Sequence, residues 1–123
     1  MRFVRNLLMA FVYAFAGIRY VMRQRNPRIH LLAAICVIAL AAWLKVSRGE
    51  WAVLVLCIGL VKAAESINSA IEATVDLLSP DVRPSAKIAK DAAAGAVLIA
   101  AIAAAMVGFI VLGPPLRARL FGI

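Results

Sequence analysis

Residues 51–76 read WAVLVLCIGLVKAAESINSAIEATVD, and the change of character inside this stretch decides the fold. From Trp51 to Val61 every residue is apolar or glycine; from Lys62 onward acids, amides and hydroxyls recur. An apolar run that passes without a break into a polar helix is longer than a bilayer core requires. A membrane span from about Glu50 to Leu78 is therefore expected to emerge into water over its last turns. At 100° per residue, Glu65, Asn68, Glu72 and Asp76 share one helix face about 80° wide. Along the axis Glu65 and Glu72 lie about 10 Å apart, and Glu72 and Asp76 about 6 Å.

The rest of the chain fits the same solvent. Of its 123 residues 65% are hydrophobic, well above the roughly half-apolar composition of a soluble domain. The expected fold is all-α and integral to a membrane: one domain over 1–123, with a surface amphipathic helix at 1–25 and transmembrane helices at 27–46, 50–78 and 84–113. In the first segment Phe3, Leu7, Leu8, Phe11, Phe15 and Ile18 recur at helical spacing, with Arg2, Arg5, Arg19 and Arg23 mostly elsewhere on the wheel. A signal peptide ending at Ala14-Phe15-Ala16 is the rival reading, opposed by the arginine cluster that follows at once. Asn26-Pro27 reads as a cap and a first-turn proline. Trp43 and Trp51 flank the turn at Lys45–Gly49 as interfacial anchors. Gly113-Pro114-Pro115 reads as the stop of the last helix.

The net charge is +8. In a soluble protein that excess would suggest nucleic acid, but here the basic residues lie outside the apolar runs and face a membrane surface instead, so no nucleic-acid partner is expected. Arg2, Arg5, Arg19, Arg23, Arg25 and Arg28 fall on the same side as Arg83, Lys87 and Lys90, against Lys45, Arg48, Arg117 and Arg119 on the other. This asymmetry predicts a cytoplasmic N-terminus in a multi-pass membrane protein. Cys36 and Cys57 lie in apolar segments without ligand spacing and read as core residues.

Carboxylates at membrane depth cost a few kcal/mol each, so something must offset them. Lys62, Lys90, a shared proton or a hard divalent ion such as magnesium are the candidates, the last because the donors are all oxygens. A polar face merely solvated beyond the bilayer accounts well for Asp76 and poorly for Glu65 and Asn68. Lys87, Lys90 and Asp91 open the last helix near the level of Glu72 and Asp76, and Ala92 to Gly95 are small enough for close approach between helices. Lysine beside a metal-bound carboxylate cluster suits a nucleotide polyphosphate, yet there is no GxxxxGK loop, which excludes a P-loop fold. From residue chemistry alone a cation-coupled small membrane transporter stands level with a kinase. An internal polar face also needs covering by protein, which argues against a monomer.

The stretch ESINSAIEATVDLLSPDVRPSAKIAKDAAAGAVLIAA, residues 65–101, resembles the prokaryotic diacylglycerol kinase and undecaprenol kinase family, with its pattern E-x-x-N-[ST]-A-x-E-x-x-x-D followed by A-K-D-x-[AG]-[AS]-A-V-L. The resemblance implies a homotrimeric lipid kinase that moves the γ-phosphoryl of MgATP to diacylglycerol, giving phosphatidic acid, or alternatively to undecaprenol. It implies Glu65 as general base, Asn68 as a catalytic orienting group, and Glu72 as ligand of Mg2+ and nucleotide. Lys90 and Asp91 would contact ATP, with Asp81 and Arg83 beside it; Glu65 and Arg5 are the expected contacts of the lipid substrate. Gln24-Arg25-Asn26 stands where the family commonly carries a metal-binding glutamate before Arg-Asn. Gln24 is thus a candidate metal ligand without the charge. Pro27 stands where an aromatic is common.

Overall fold

The computed structural model describes residues 1–81 and 83–122. The chain is all-helical: α1 spans Arg2–Met22, α2 Arg25–Leu44, α3 Arg48–Leu78 and α4 Pro84–Phe121. All four are long and apolar enough to cross a membrane by length and composition.

Local chemistry sets most of the boundaries. The α1–α2 turn is tight: the amides of Arg23 and Gln24 donate to the carbonyls of Tyr20 and Val21, and Arg28 Nε reaches Met22 O at 3.5 Å. The cap of α2 is Gln24 rather than Asn26, and Gln24 makes no capping bond with its side chain. Helix can begin earlier because the first turn's N–H groups have no intrahelical partner, so Pro27 is tolerated anywhere within it.

α2 ends in a Schellman turn. Lys45 N donates to Ala42 O and Val46 N to Ala41 O, with Lys45 in the left-handed region at φ 54°. Val46 then packs against the cluster that contains Ala41, the apolar contact that usually accompanies this motif. α3 starts at once with a capping box: Glu50 N donates to Ser47 Oγ at 3.3 Å and Ser47 N to a Glu50 carboxylate oxygen at 2.7 Å.

The expected stop at Gly113-Pro114-Pro115 is corrected. α4 runs through both prolines and ends eight residues beyond position 113, at Phe121, closed by Gly122 at φ 68°. Each proline removes one backbone donor but keeps a helical φ. Beyond them the helix is held by tertiary contacts: Leu112 is buried, Leu116 lines a cavity shared with α2 and α3, and the Arg119 guanidinium lies 5.4 Å from the Trp43 ring centroid. The left-handed glycine, rather than the diproline, supplies the termination.

α3 and α4 form the most extensive helix pair. The core is narrow, with Ala41, Leu54 and Leu112 at its centre and Val37, Leu40, Val46 and Trp51 around them. Of the small residues expected to allow close approach, only Ala93 is buried; a side chain at Gly95 would meet nothing within 4 Å. Large apolar side chains such as Ile99, Phe109 and Ile110 face outward. α1 has a single buried residue, Val21, at its C-terminal end.

Lys45 holds a backbone conformation that costs a residue with a Cβ about 1–2 kcal/mol. Lys45→Gly is expected to stabilise the chain by about 0.5–1 kcal/mol, after glycine's greater freedom in the unfolded state is deducted. Reversible unfolding by dodecyl sulfate in mixed micelles measures this; a loss of stability would show that the lysine side chain contributes more than the strain costs.

Candidate functional site

Where α3 turns polar it faces the start of α2. Glu65 is only 3% exposed, and both its oxygens are engaged: Oε1 by His30 Nδ1 from α2, and Oε2 by Lys62 Nζ at 2.8 Å, one turn back on α3. The same ammonium donates to Pro27 O at 2.9 Å, so one lysine ties the first turn of α2 to the carboxylate. The offset required for a buried acid is therefore met by an imidazole and an ammonium together.

A second set of groups lies further along the stripe. Asn68 Nδ2 donates to Glu72 Oε1 at 3.1 Å, leaving Asn68 Oδ1 buried with no hydrogen-bond partner. Ser69 Oγ donates to Gln24 Oε1 at 3.1 Å, which explains why Gln24 does not cap its own helix. Gln24, His30, Glu65, Asn68 and Glu72 all border one open-sided cavity of about 410 Å³, whose α4 wall is Ala94, Val97, Leu98 and Ala101. A neighbouring cavity of about 440 Å³ is apolar and runs between α2, α3 and α4. His30 and Ala101 border both.

Glu65, Asn68, Glu72 and Gln24 are thus brought together. The remaining expected site residues are not at this cavity. Lys90 meets the acidic stripe through Asp76 Oδ1 at 2.8 Å. Asp91 pairs with Lys87 on the exposed surface of α4. Asp81 and Arg83 are exposed in the α3–α4 connection, and Arg5 is exposed on α1. His30 was not singled out in the sequence, although it is the one histidine of the chain and sits in an apolar span, which is itself a signal of function.

The donor set suits a magnesium ion held in the usual way, by one or two carboxylates with substrate phosphates completing the shell. Glu72 would be the carboxylate, and the unpartnered Asn68 Oδ1 beside it is the kind of acceptor a cation satisfies. Among the described residues no three His, Cys, Asp or Glu side chains converge on a metal position. An ion here would accordingly depend on ligands brought by a nucleotide.

A polar cavity and an apolar one thus meet where α2, α3 and α4 come together. The model of the prokaryotic diacylglycerol kinase family matches residues 12–112. A diacylglycerol kinase of Synechocystis is 49% identical over 113 residues, 90% of this chain and 65% of that protein. The undecaprenol kinase of Bacillus subtilis is 40% identical over 108 residues, 87% of this chain and 88% of that one, and a diacylglycerol kinase of Escherichia coli K12 is 32% identical over 108 residues. The chain belongs to the prokaryotic diacylglycerol kinase family. The names of the family and these relatives indicate a lipid kinase, a phosphotransferase. The matched region contains every cavity-lining polar group, whereas α4 beyond Leu112 lies outside it.

Removing one partner of a buried charge pair costs more than removing both. Lys62→Met is expected to destabilise the protein by about 1.5–3 kcal/mol, and the double variant Lys62→Met/Glu65→Gln by less than the single one. Dodecyl sulfate unfolding of the three proteins tests this; equal stability of Lys62→Met and wild type would mean that water, not Lys62, solvates Glu65.

Proposed function

We propose that the protein transfers the γ-phosphoryl of MgATP to the hydroxyl of diacylglycerol at the cytoplasmic face of a bacterial inner membrane. The observation that carries this reading is the junction at His30 and Glu65. There a polar, cation-suited cavity adjoins an apolar one, as a phosphoryl donor and a lipid alcohol require. Undecaprenol is the second acceptor, favoured by the Bacillus relative, of which the chain covers a greater share than of the Synechocystis protein. Family membership leaves the transporter reading without support.

In this reading Glu72 with the amide oxygens of Asn68 and Gln24 would hold Mg2+, which when bound neutralises phosphate charge. Gln24 keeps an oxygen at the site but its bond from Ser69 already uses part of that acceptor's capacity. Lys90, Asp91, Asp81 and Arg83 lie at the polar end of the α3–α4 pair, where they would meet the nucleotide outside the cavity. Glu65 stands at the acceptor end, where the hydroxyl proton must leave. Arg5 on α1 would contact the lipid headgroup region.

α1 is read as the surface helix and α2, α3 and α4 as the three spans. Its near-complete exposure and its separate arginines support that division. The open side of the polar cavity supports a homotrimer, in which a neighbouring copy covers the polar groups one chain leaves bare.

Glu65→Gln is expected to lower phosphoryl transfer by about 10²–10⁴-fold while leaving ATP binding near wild type, whereas Glu72→Gln lowers both. Transfer from ATP to diacylglycerol and to a short prenol in micelles, with nucleotide binding by calorimetry, checks the division and the reading together. Loss of ATP binding in both variants, or no transfer by the wild-type protein to either lipid, contradicts it.

For topology, single cysteines are placed at Ser85 and Ser47 after replacing Cys36 and Cys57 with alanine. An impermeant thiol reagent outside intact cells is expected to label position 47 and spare 85; the reverse pattern inverts the orientation.

A further inference from the structure

Four basic side chains stand exposed at the end of the molecule away from the acidic stripe: Lys45 and Arg48 at the turn between α2 and α3, and Arg117 and Arg119 on the last turns of α4. The one acid at that end, Glu50, accepts from the Ser47 amide in the capping box. Among the described residues none of the four cations makes an ion pair with a carboxylate. Four cations against one carboxylate leave this end with three positive charges in excess.

Arg119 is held there by the fold. Leu112 packs with Ala41 and Leu54, and Arg119 lies seven residues, about 10 Å, further along α4. Helical side chains lean toward the N-terminus of their helix, so this arginine folds back to Trp43, its guanidinium 5.4 Å from the ring centroid. The ring contact neutralises no charge, and the guanidinium keeps donors for an anion. Trp43 is 48% exposed and marks the headgroup level, while Leu120 and Phe121, on the same turns of α4 as Arg119, expose apolar side chains. Arg117, two residues before Arg119, stands on the other side of the helix, so the cations form a collar rather than one pocket.

We propose that this end of the protein is a binding surface for anionic phospholipid, with Arg119 and Lys45 meeting the headgroup phosphate beside Trp43 and with Arg48 and Arg117 extending the collar. The charge excess selects the occupant: a zwitterionic headgroup brings its own cation, whereas an anionic one such as phosphatidylglycerol brings net negative charge. The aromatic level and the exposed Leu120 and Phe121 place that phosphate in the bilayer rather than free in water, because acyl chains cover those side chains. The surface exists only because α4 continues through Pro114-Pro115, and Arg117 and Arg119 lie beyond residues 12–112, the region matched by the family model. It stands apart from phosphoryl transfer, whichever lipid accepts the phosphoryl group.

Trp51→Phe leaves Trp43 as the only tryptophan of the full chain, at the proposed contact. In bilayers that mix phosphatidylcholine with phosphatidylglycerol, bromine on the acyl chains of one lipid or the other quenches this fluorescence according to which lipid sits beside Trp43. At low salt phosphatidylglycerol is expected to be preferred about fivefold or more, and the preference to fall toward unity in about 0.5 M sodium chloride. Arg119→Gln with Lys45→Gln is expected to remove most of the preference, whereas Arg119→Lys, which keeps the charge, retains part of it. Each variant is normalised to its own sample in unbrominated lipid, so the lost ring contact does not enter the comparison. A preference below about twofold in the Trp51→Phe protein at low salt overturns the proposal, as does one that survives the double substitution. Equally weak quenching by both brominated lipids would mean that a second copy of the chain covers Trp43, and overturns it as well.

Discussion

The constraint on which the rest depends is the burial of one carboxylate. Glu65 sits where α3 passes from an apolar to a polar sequence, and in that setting an unpartnered negative charge is not tolerated. Two partners from opposite sides resolve the problem, His30 from α2 and Lys62 from α3 itself. Because Lys62 also binds the Pro27 carbonyl, solvating the acid fixes the register of the two helices. Elsewhere α2 and α3 touch chiefly around Ala41 and Leu54 at the far end. The helices are thus pinned at two levels, one by charge and one by packing.

Between those levels the chain buries little. Few side chains are fully enclosed, and large aliphatic and aromatic groups point outward along α2, α3 and α4. In water this would be a failure of folding, whereas in lipid apolar exposure carries no such penalty and helix pairs are held by packing and polar bonds. The distribution of polar bonds follows: the interhelical ones gather at the end that includes Gln24, His30, Glu65 and Ser69.

Much of this was legible in the sequence, for identifiable reasons. The all-helical class followed from composition and period, and the acidic stripe from the 100° step, because both depend only on local geometry. Ser47 and Glu50 form the kind of box that a serine three residues before a glutamate signals. The end of α4 was not legible: Pro114-Pro115 is a strong local stop, and only the contacts of Leu112, Leu116 and Arg119 with other helices explain its being overridden. The capping role likewise moved from Asn26 to Gln24, whose side chain is taken by Ser69, forty-five positions away. His30 was missed because its partner is thirty-five positions distant and a helical wheel drawn for α3 alone cannot contain it. Lys90 was placed against the stripe, yet its partner is Asp76 at the rim, so the wheel gave the face but not which acids lie within the cavity.

The cation–π contact between Arg119 and Trp43 has a consequence for the bilayer itself. On α2 the polar level begins at Pro27 and the aromatic level lies at Trp43, sixteen residues on, a rise of about 24 Å. A hydrocarbon core is about 30 Å thick. A span of this length, with Trp43 and Arg119 at the level of one interface, is shorter than that core, a mismatch that local thinning of the bilayer can accommodate. A thinned leaflet lowers lipid headgroups toward the protein. Hydrophobic mismatch, ordinarily a cost, then brings the headgroup level nearer the depth of Glu65.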